Sequence, residues 1–361
     1  MLTPLSKFEI YMAQSDLSKA KNGKNDEFYT QFIDIEKEMN AYLEFDPNIF
    51  KGKTVLLPCD DPEWSNFTKF FAQNFQRFGL KKLISTSYAV ESKHYKSAYQ
   101  PTLFEVNDPK FDETKTRVKG KIFTLTKDNT GDGKIDVEDL EWTYLKGDGD
   151  YRSEEIIKIR DAADFIITNP PFSLFRDFLS WISETNKKFI IIGNMDAITY
   201  KEVFPLIRDN KIWLGAGKND GRNVWYEVPN DYKTFHKEES GKKYAFVAKT
   251  IWFTNIDHGR RHRPIQQLMS EADVIKFCTK KPFLKYDNYD AIEVSNVKHI
   301  PNDYSGVMGV PISFLSKHNP EQFELLGSNR GVDQDPNKIY GRGSYVNGKE
   351  TFKRIFIKHK R

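Results

Sequence analysis

Ala163-Asp164-Phe165-Ile166-Ile167-Thr168, followed by Asn169-Pro170-Pro171-Phe172 and then Ser173-Leu174-Phe175-Arg176-Asp177-Phe178-Leu179-Ser180-Trp181-Ile182, is the stretch that decides the fold. The first six residues are a short, largely apolar run of the kind that forms a buried strand. The two prolines fix an extended backbone and disfavour helix in the residue before them. Beyond them, Leu174, Phe175, Phe178, Leu179 and Ile182 share one helical face, and Ser173 is placed as its N-cap. A second apolar run, Lys188-Phe189-Ile190-Ile191-Ile192-Gly193, comes next. Strand, loop, helix and strand make the repeating unit of an α/β protein with a parallel sheet.

The loop carries chemistry as well as topology. Open α/β sheets bind ligands at the carboxyl ends of their strands, which is where Asn169 stands. A planar amine donates two hydrogen bonds, and the Asn169 carboxamide oxygen and the Pro170 carbonyl are suited to accept both. Accepting them draws the nitrogen toward sp3 geometry and frees its lone pair to attack a methyl group. Pro171 stiffens the turn, and Phe172 offers a flat face on which a base stacks. Asn169, Pro170, Pro171 and Phe172 are therefore candidate catalytic residues for methylation of an exocyclic amine. The competing reading is an ordinary exit from a strand, since Asn-Pro is common in turns.

Composition narrows the class. At 361 residues the chain buries a large core, with room for one large domain and an addition. No apolar run approaches the roughly 20 residues that cross a bilayer, and no signal-peptide core opens the chain. Two cysteines, Cys59 and Cys278, give no disulfide framework, so the expected home is the reducing cytoplasm. A net charge of +4 excludes a histone-like polycation, so a nucleic-acid partner requires locally concentrated basic residues.

Residues 1–25 include Lys19, Lys21 and Lys24 and read as a basic arm. A helix is expected over about 31–44, a first strand over Thr54-Val55-Leu56-Leu57, and a Ser65-capped helix over Asn66–Phe78 ended by Gly79. The Phe67, Phe70, Phe71, Phe75 and Phe78 stripe on that helix is core rather than a cofactor box. A second strand covers Lys82–Tyr88. The polar stretch that follows is too long for a simple loop and predicts its own hairpin. Acidic residues recur near successive strand ends. Asp61, with Pro62 beside it, suits an α-amino group, Glu91 suits ribose hydroxyls, and Asp150 suits an adenine amine with Tyr151 flanking the ring. That recurrence ahead of Asn169, without a glycine-rich dinucleotide fingerprint, favours S-adenosylmethionine over NAD.

Several ordered blocks then reveal a relationship: DEFYTQ at 26–31, CDDP at 59–62, SNF at 65–67, GLKK at 79–82, GDGDYRS at 147–153 and TNPPFSLFRDF at 168–178. They continue with TYKEVF at 199–204, KIWLG at 211–215, KYDNYDAI at 285–292, GVMGVPISFL at 306–315 and NPEQFEL at 319–325. From about Asp26 to the C-terminus the chain resembles the EcoRI-type DNA adenine-N6 methyltransferase family. The resemblance implies a Rossmann-like core with inserted loops, methyl transfer from S-adenosylmethionine to adenine N6 in double-stranded DNA, and sequence recognition from the C-terminal half. It implies that Phe28, Tyr29 and Thr30 close over the methionine part of the cofactor and that Asp61 to Asn66 stand in for a glycine-rich loop. There Ser65 and Asn66 replace glycines. The expected division is 1–25 arm, 26–255 catalytic core with an insertion over about 100–146, and 256–361 target recognition.

Two segments read independently of that resemblance. Residues 128–139 follow the calcium-loop pattern, with oxygen ligands from Asp128, Thr130, Asp132, Asp136 and Asp139 and Gly133 at the turn. A structural Ca2+ site is one expectation there, and a polar hairpin tip at Asp132-Gly133 is the other. Arg260-Arg261-His262-Arg263 is a compact basic cluster that either holds phosphates or is a solvated loop. The expected partners are duplex DNA and a companion restriction endonuclease, with the protein acting as a monomer away from membranes. The alternatives are methylation of an RNA adenine or a protein glutamine, or a calcium-responsive binding module without catalysis.

Overall fold

The computed structural model describes residues 30–62, 65–89, 108–217, 224–228, 235–247, 249–277, 283–329 and 343–360. The chain forms two units and enters each more than once. The first takes in the chain up to Glu36, Phe50–Lys187 and Trp225–Val247, and the second Lys37–Ile49, Lys188–Val224 and Ala248–Arg361. This division is interleaved along the chain. Helix α1 (Phe32–Phe45) starts in the first unit and ends in the second.

The first unit is built on strands β1 (Thr54–Leu57), β2 (Lys82–Ser87), β3 (Lys121–Leu125), β4 (Glu141–Tyr144) and β5 (Phe165–Thr168), in the order β4-β3-β2-β1-β5. Both neighbours of β1 run parallel to it, with Val55 beside Leu83 and Phe165, and Leu56 beside Ile84 and Ile166. Every residue of β1 and β5 is buried, as uninterrupted apolar runs at the centre of a covered sheet require. The β3–β4 pair is an antiparallel hairpin, as the long polar stretch predicted.

The expected helix over Asn66–Phe78 is two pieces, α2 (Asn66–Gln73) and a turn over Phe75–Phe78. Asn74 interrupts it, because its amide donates to the Phe70 carbonyl at 2.9 Å and competes with the helical ladder. Ser65 caps α2 at the Phe67 N–H, and Gly79 ends the second piece with φ of 61°. Phe67, Phe70, Phe71, Phe75 and Phe78 are all buried, and Phe71 meets Phe50 edge-on at 5.6 Å, so the aromatic stripe is core. Two further helices, α3 (Glu154–Ala162) and α4 (Phe175–Ser183), flank β5 in sequence. Ser173 does not cap α4. It lies exposed in a 3₁₀ turn, Phe172–Leu174, tightened by the Leu174 N–H to Pro171 carbonyl bond of 2.9 Å, and the helix begins after it.

The connection between β3 and β4 corrects the calcium expectation. The oxygens proposed as ligands face the loop's own amides. Asp128 accepts from Gly131 and Gly133, Asp132 from Lys134, Asp136 from Glu138, and Asp139 from Asn129, Thr130 and Asp136. The Thr130 hydroxyl turns toward Asp128 at 3.4 Å. Among the described residues no three acidic, histidine or cysteine side chains gather as a cation shell. The residue types that ligate calcium also make Asx turns, and here they make the turns of a polar hairpin loop.

In the second unit, β6 (Lys188–Asn194), β7 (Trp213–Leu214) and β8 (Thr250–Thr254) run in the order β6-β8-β7 with antiparallel pairing. A four-stranded sheet follows, with β9 (Ile292–Glu293), β10 (Met308–Pro311), β11 (Phe323–Ser328) and β12 (Arg354–His359) in the order β9-β10-β12-β11. β12 is therefore internal, antiparallel to both β10 and β11. Arg354 holds Glu293 bidentately at 2.6–3.0 Å in a nearly buried pair. The basic cluster is used internally. Arg260 donates to the Ala216 carbonyl, Arg261 lies 3.7 Å over the Trp213 ring and donates to Asn210, and His262 stands 2.9 Å from Asp257. Arg263 is exposed. Glu38, fully buried, accepts from the Ala216 and Gly217 amides and from the Tyr42 hydroxyl, and burial pushes its carboxyl up to about 6. A side chain at Gly215 would collide with that carboxylate, so the close approach requires glycine.

Candidate active site

The carboxyl ends of β1, β2 and β5 converge in the first unit, and one buried side chain ties them together. Asp60 follows β1 at 5% exposure. One of its oxygens accepts from the Ser65 hydroxyl and the other from the Thr168 hydroxyl, both at 2.6 Å. Its amide donates to the Thr86 carbonyl at 3.1 Å, and its own carbonyl accepts from Thr68 at 3.2 Å and from Ser85. Burial pushes the Asp60 carboxyl up to about 7, against the two hydroxyls that pull it down. Sequence reasoning passed over this residue in favour of Asp61. The detectable signal was a second acid immediately after a fully apolar strand, where the chain is still inside the sheet.

Asn169 leaves β5 next to the braced Thr168 and is half-buried, followed by buried Pro170 and half-buried Pro171 and Phe172. The Phe172 ring meets Tyr226 edge-on, with centroids 6.5 Å apart at 85°. Tyr226, at 1% exposure, comes from Val224–Val228, the first strand of a small sheet with Lys242–Val247 and Lys237–Glu239. Perpendicular packing of this kind holds the Phe172 ring in a defined orientation at the mouth of the sheet. No sequence signal marked Tyr226, because it lies far along the chain from the loop it supports.

The cofactor candidates separate into three groups. Thr30 is buried, its carbonyl accepts from the Asn66 amide at 2.8 Å, and its hydroxyl has no partner among the described residues. Gln31 extends the same segment to the Trp225 carbonyl at 2.8 Å. Asp61 is half-buried at the β1 exit, and Pro62, buried, follows it. Asp150 is held near the end of β2 because Gly149 (φ 89°) packs its Cα against the Ser87 carbonyl. Arg152 grips the Asp150 carboxylate at 2.5–3.2 Å and holds it below the usual carboxylate range. The Tyr88 hydroxyl, facing the Tyr151 amide at 3.5 Å, joins this corner, and sequence reasoning missed it.

Other assignments change. Tyr151 is fully buried, edge-on to Phe178 at 5.0 Å and Trp181 at 5.4 Å, so its ring is core and presents no face to an adenine. Its hydroxyl is buried without a partner among the described residues. Ser65 and Asn66 are committed as helix cap and as a tie to Thr30, so their side chains serve the loop's shape. Phe28, Tyr29 and Glu91 lie outside the described residues. Hydroxyls at Thr30 and Tyr151 that are buried without partners among the described residues, with acceptor carboxylates at Asp61 and Asp150, make the polar set that a cationic nucleoside cofactor fits.

The family model described as adenine-specific methyltransferase EcoRI matches residues 16–360. The chain is 42% identical over 350 residues to the type II methyltransferase M.EcoRI of Escherichia coli, covering 96% of each. It is 32% identical to type II methyltransferases of Mycoplasma genitalium and Mycoplasma pneumoniae, covering 94–95% of this chain and 98% of each relative. No solved structure matches.

Proposed function

This chain belongs to the adenine-specific methyltransferase EcoRI family and is a site-specific DNA methyltransferase, and from that premise we propose that it methylates N6 of an adenine turned out of duplex DNA at the exit of β5. The observation that carries this reading is Asn169-Pro170-Pro171-Phe172 at the mouth of a parallel sheet, with an aromatic ring beside an amide acceptor. S-adenosylmethionine, when bound, supplies an electrophilic methyl group on its sulfonium. The Asn169 oxygen and the Pro170 carbonyl accept the two N6 hydrogens and expose the nitrogen lone pair for attack. Attack by the nitrogen would displace the neutral thioether as leaving group, and the surplus N6 proton would pass to water. Asp61 faces the α-amino group, Asp150 the adenine amine of the cofactor, and Phe172 stacks on the extruded base.

Extrusion follows from geometry. N6 lies in the major groove, and a methyl group held at strand ends is not reached in line while the base stays stacked. Enzymes that act on a base therefore take it out of the helix, at a cost of a few kcal/mol. The catalytic unit is a Rossmann-like core, target recognition lies in the C-terminal region, and the protein acts as a monomer in the cytoplasm beside a companion restriction endonuclease. Among the described residues no helix is long and apolar enough to cross a membrane. Methyl-labelled cofactor offered with duplex DNA, RNA and protein tests the reading, with modified adenines mapped in DNA from expressing cells. Label in RNA or in glutamine and none in DNA would overturn it.

A further inference from the structure

We propose that Asp60 is a positioning residue for methyl transfer, a single carboxylate that sets the distance between the amine-binding loop and the cofactor loop. The inference rests on the methyltransferase reading of the same site and adds a residue to it. Its two oxygens serve the two halves of the reaction separately. The one that accepts from Thr168 fixes the residue whose carbonyl carbon is bonded to Asn169. The one that accepts from Ser65 fixes the N-cap of α2, beside which Asp61 and Asn66 stand in the chain. The Asp60 main chain is clamped to β2 through Thr86 and Ser85 and to α2 through Thr68, so neither loop moves without straining the other.

Three features set this apart from a generic buried polar contact. The carboxylate bonds side chains 5 and 108 residues away in sequence, so it joins elements that no local turn connects. Both bonds are short, at 2.6 Å, so each hydroxyl is held closely against its own Asp60 oxygen. Ser65 is also half of a cap, accepting from the Phe67 N–H at 3.1 Å, so losing its anchor disturbs the start of α2. Transfer requires nitrogen and carbon about 3–3.5 Å apart and in line, and an error of about 1 Å costs on the order of 100-fold in rate. A rigid link between the two loops is what such a tolerance demands.

The test uses full-length protein, duplex DNA and labelled cofactor. Wild-type transfer to adenine establishes the underlying reading, and its absence refutes that reading whatever the variants do. Thr168→Val keeps the shape of the side chain and removes the donor. Its single-turnover rate should fall about 100-fold, with cofactor affinity held within about threefold, and Thr168→Ser should recover most of the rate. Adding Ser65→Ala to Thr168→Val should cost no more than the worse single change, because both act through one carboxylate. Wild-type turnover in Thr168→Val, equal loss in Thr168→Ser, or multiplicative loss in the double variant overturns the assignment. If Thr168→Val lacks the wild-type circular dichroism, Asp60→Asn carries the test, with the same split between rate and cofactor affinity expected and uniform loss of both overturning it.

Discussion

Gly149→Ala should loosen the grip on the cofactor through a main-chain collision. A Cβ at that position would sit 2.4 Å from the Ser87 carbonyl oxygen and 3.2 Å from the Tyr88 Cα. Ordinary contact starts near 3.4 Å, so the loop must retreat by about 1 Å. Ser87 ends a central strand and does not yield, and the loop itself is tied by the Ala89 N–H to Asp148 carbonyl bond of 2.7 Å and the Gly120 N–H to Gly147 carbonyl bond of 3.0 Å. Retreat breaks or stretches these, at about 1 kcal/mol each. The left-handed backbone, φ 89°, adds a further 1–2 kcal/mol or so for any residue with a Cβ. The sum is roughly 3–4 kcal/mol, and Asp150 moves with the loop. Chemical denaturation should record that loss, and cofactor titration should show affinity lower by about 10- to 100-fold, the worth of one hydrogen bond to a charged group. Gly131→Ala is the control. It shares a positive φ of 77° but meets nothing within 4 Å, so it should cost only the backbone term and leave cofactor affinity intact. Wild-type cofactor affinity in Gly149→Ala, or equal effects of the two substitutions, would refute the collision and the role of Asp150 together.

Asn169→Ala should abolish turnover while cofactor affinity stays within a few-fold. A variant that methylates at the wild-type rate removes Asn169 from the mechanism. Phe172→Ala should weaken extrusion, read as reduced brightening of 2-aminopurine at the target position, by about 1–3 kcal/mol. Overall DNA affinity should change less, since phosphate contacts dominate it. Asp60 gives a signed pH dependence. Its folded-state pKa, pushed up to about 7, means that the native state binds a proton more tightly than the unfolded chain does. Its contribution to stability therefore falls as pH rises from about 4 to about 7, by roughly 3–4 kcal/mol. Relative to wild type, Asp60→Asn should lose that slope, and an opposite slope in urea titrations at pH 5 and pH 7.5 contradicts the assignment. Glu293→Ala should destabilise the protein by about 3 kcal/mol, because it strands the Arg354 guanidinium in a largely buried site. Pairing Glu293→Leu with Arg354→Met should recover much of the loss.

Much of the first unit was legible from pattern alone. Apolar runs placed β1, β2 and β5, and Ser65 and Gly79 marked the ends of the helical stretch between the first two. The Asn-Pro-Pro-Phe loop is legible because two prolines allow few conformations. What escaped were choices made by partners distant in sequence. Asp60 and Asp61 are chemically alike, and only the inward turn of the first separates a buried brace from a half-buried acid at the strand exit. Tyr151 carries both a polar tip and an apolar ring, and the neighbourhood of Phe178 and Trp181 decided for the ring. Asn74 resembles any helical residue until its amide finds the Phe70 carbonyl. The acids of 128–139 match a cation loop by type and spacing, yet the same carboxylates cap backbone amides just as well. Arg260, Arg261 and His262 look like a phosphate grip in one dimension, but Ala216, Trp213 and Asp257 occupy them.

The place of β12 between β10 and β11 bears on how a cell handles an unfinished copy. Both neighbours leave the ribosome before Arg354–His359 does, at about 5–20 residues per second. Until that strand arrives, Met308–Pro311 and Phe323–Ser328 lack the backbone partner that pairs with both. Unsatisfied strand edges are templates for aggregation and are what quality control recognises. A translation product broken off upstream of Arg354 would thus expose two open edges and be cleared.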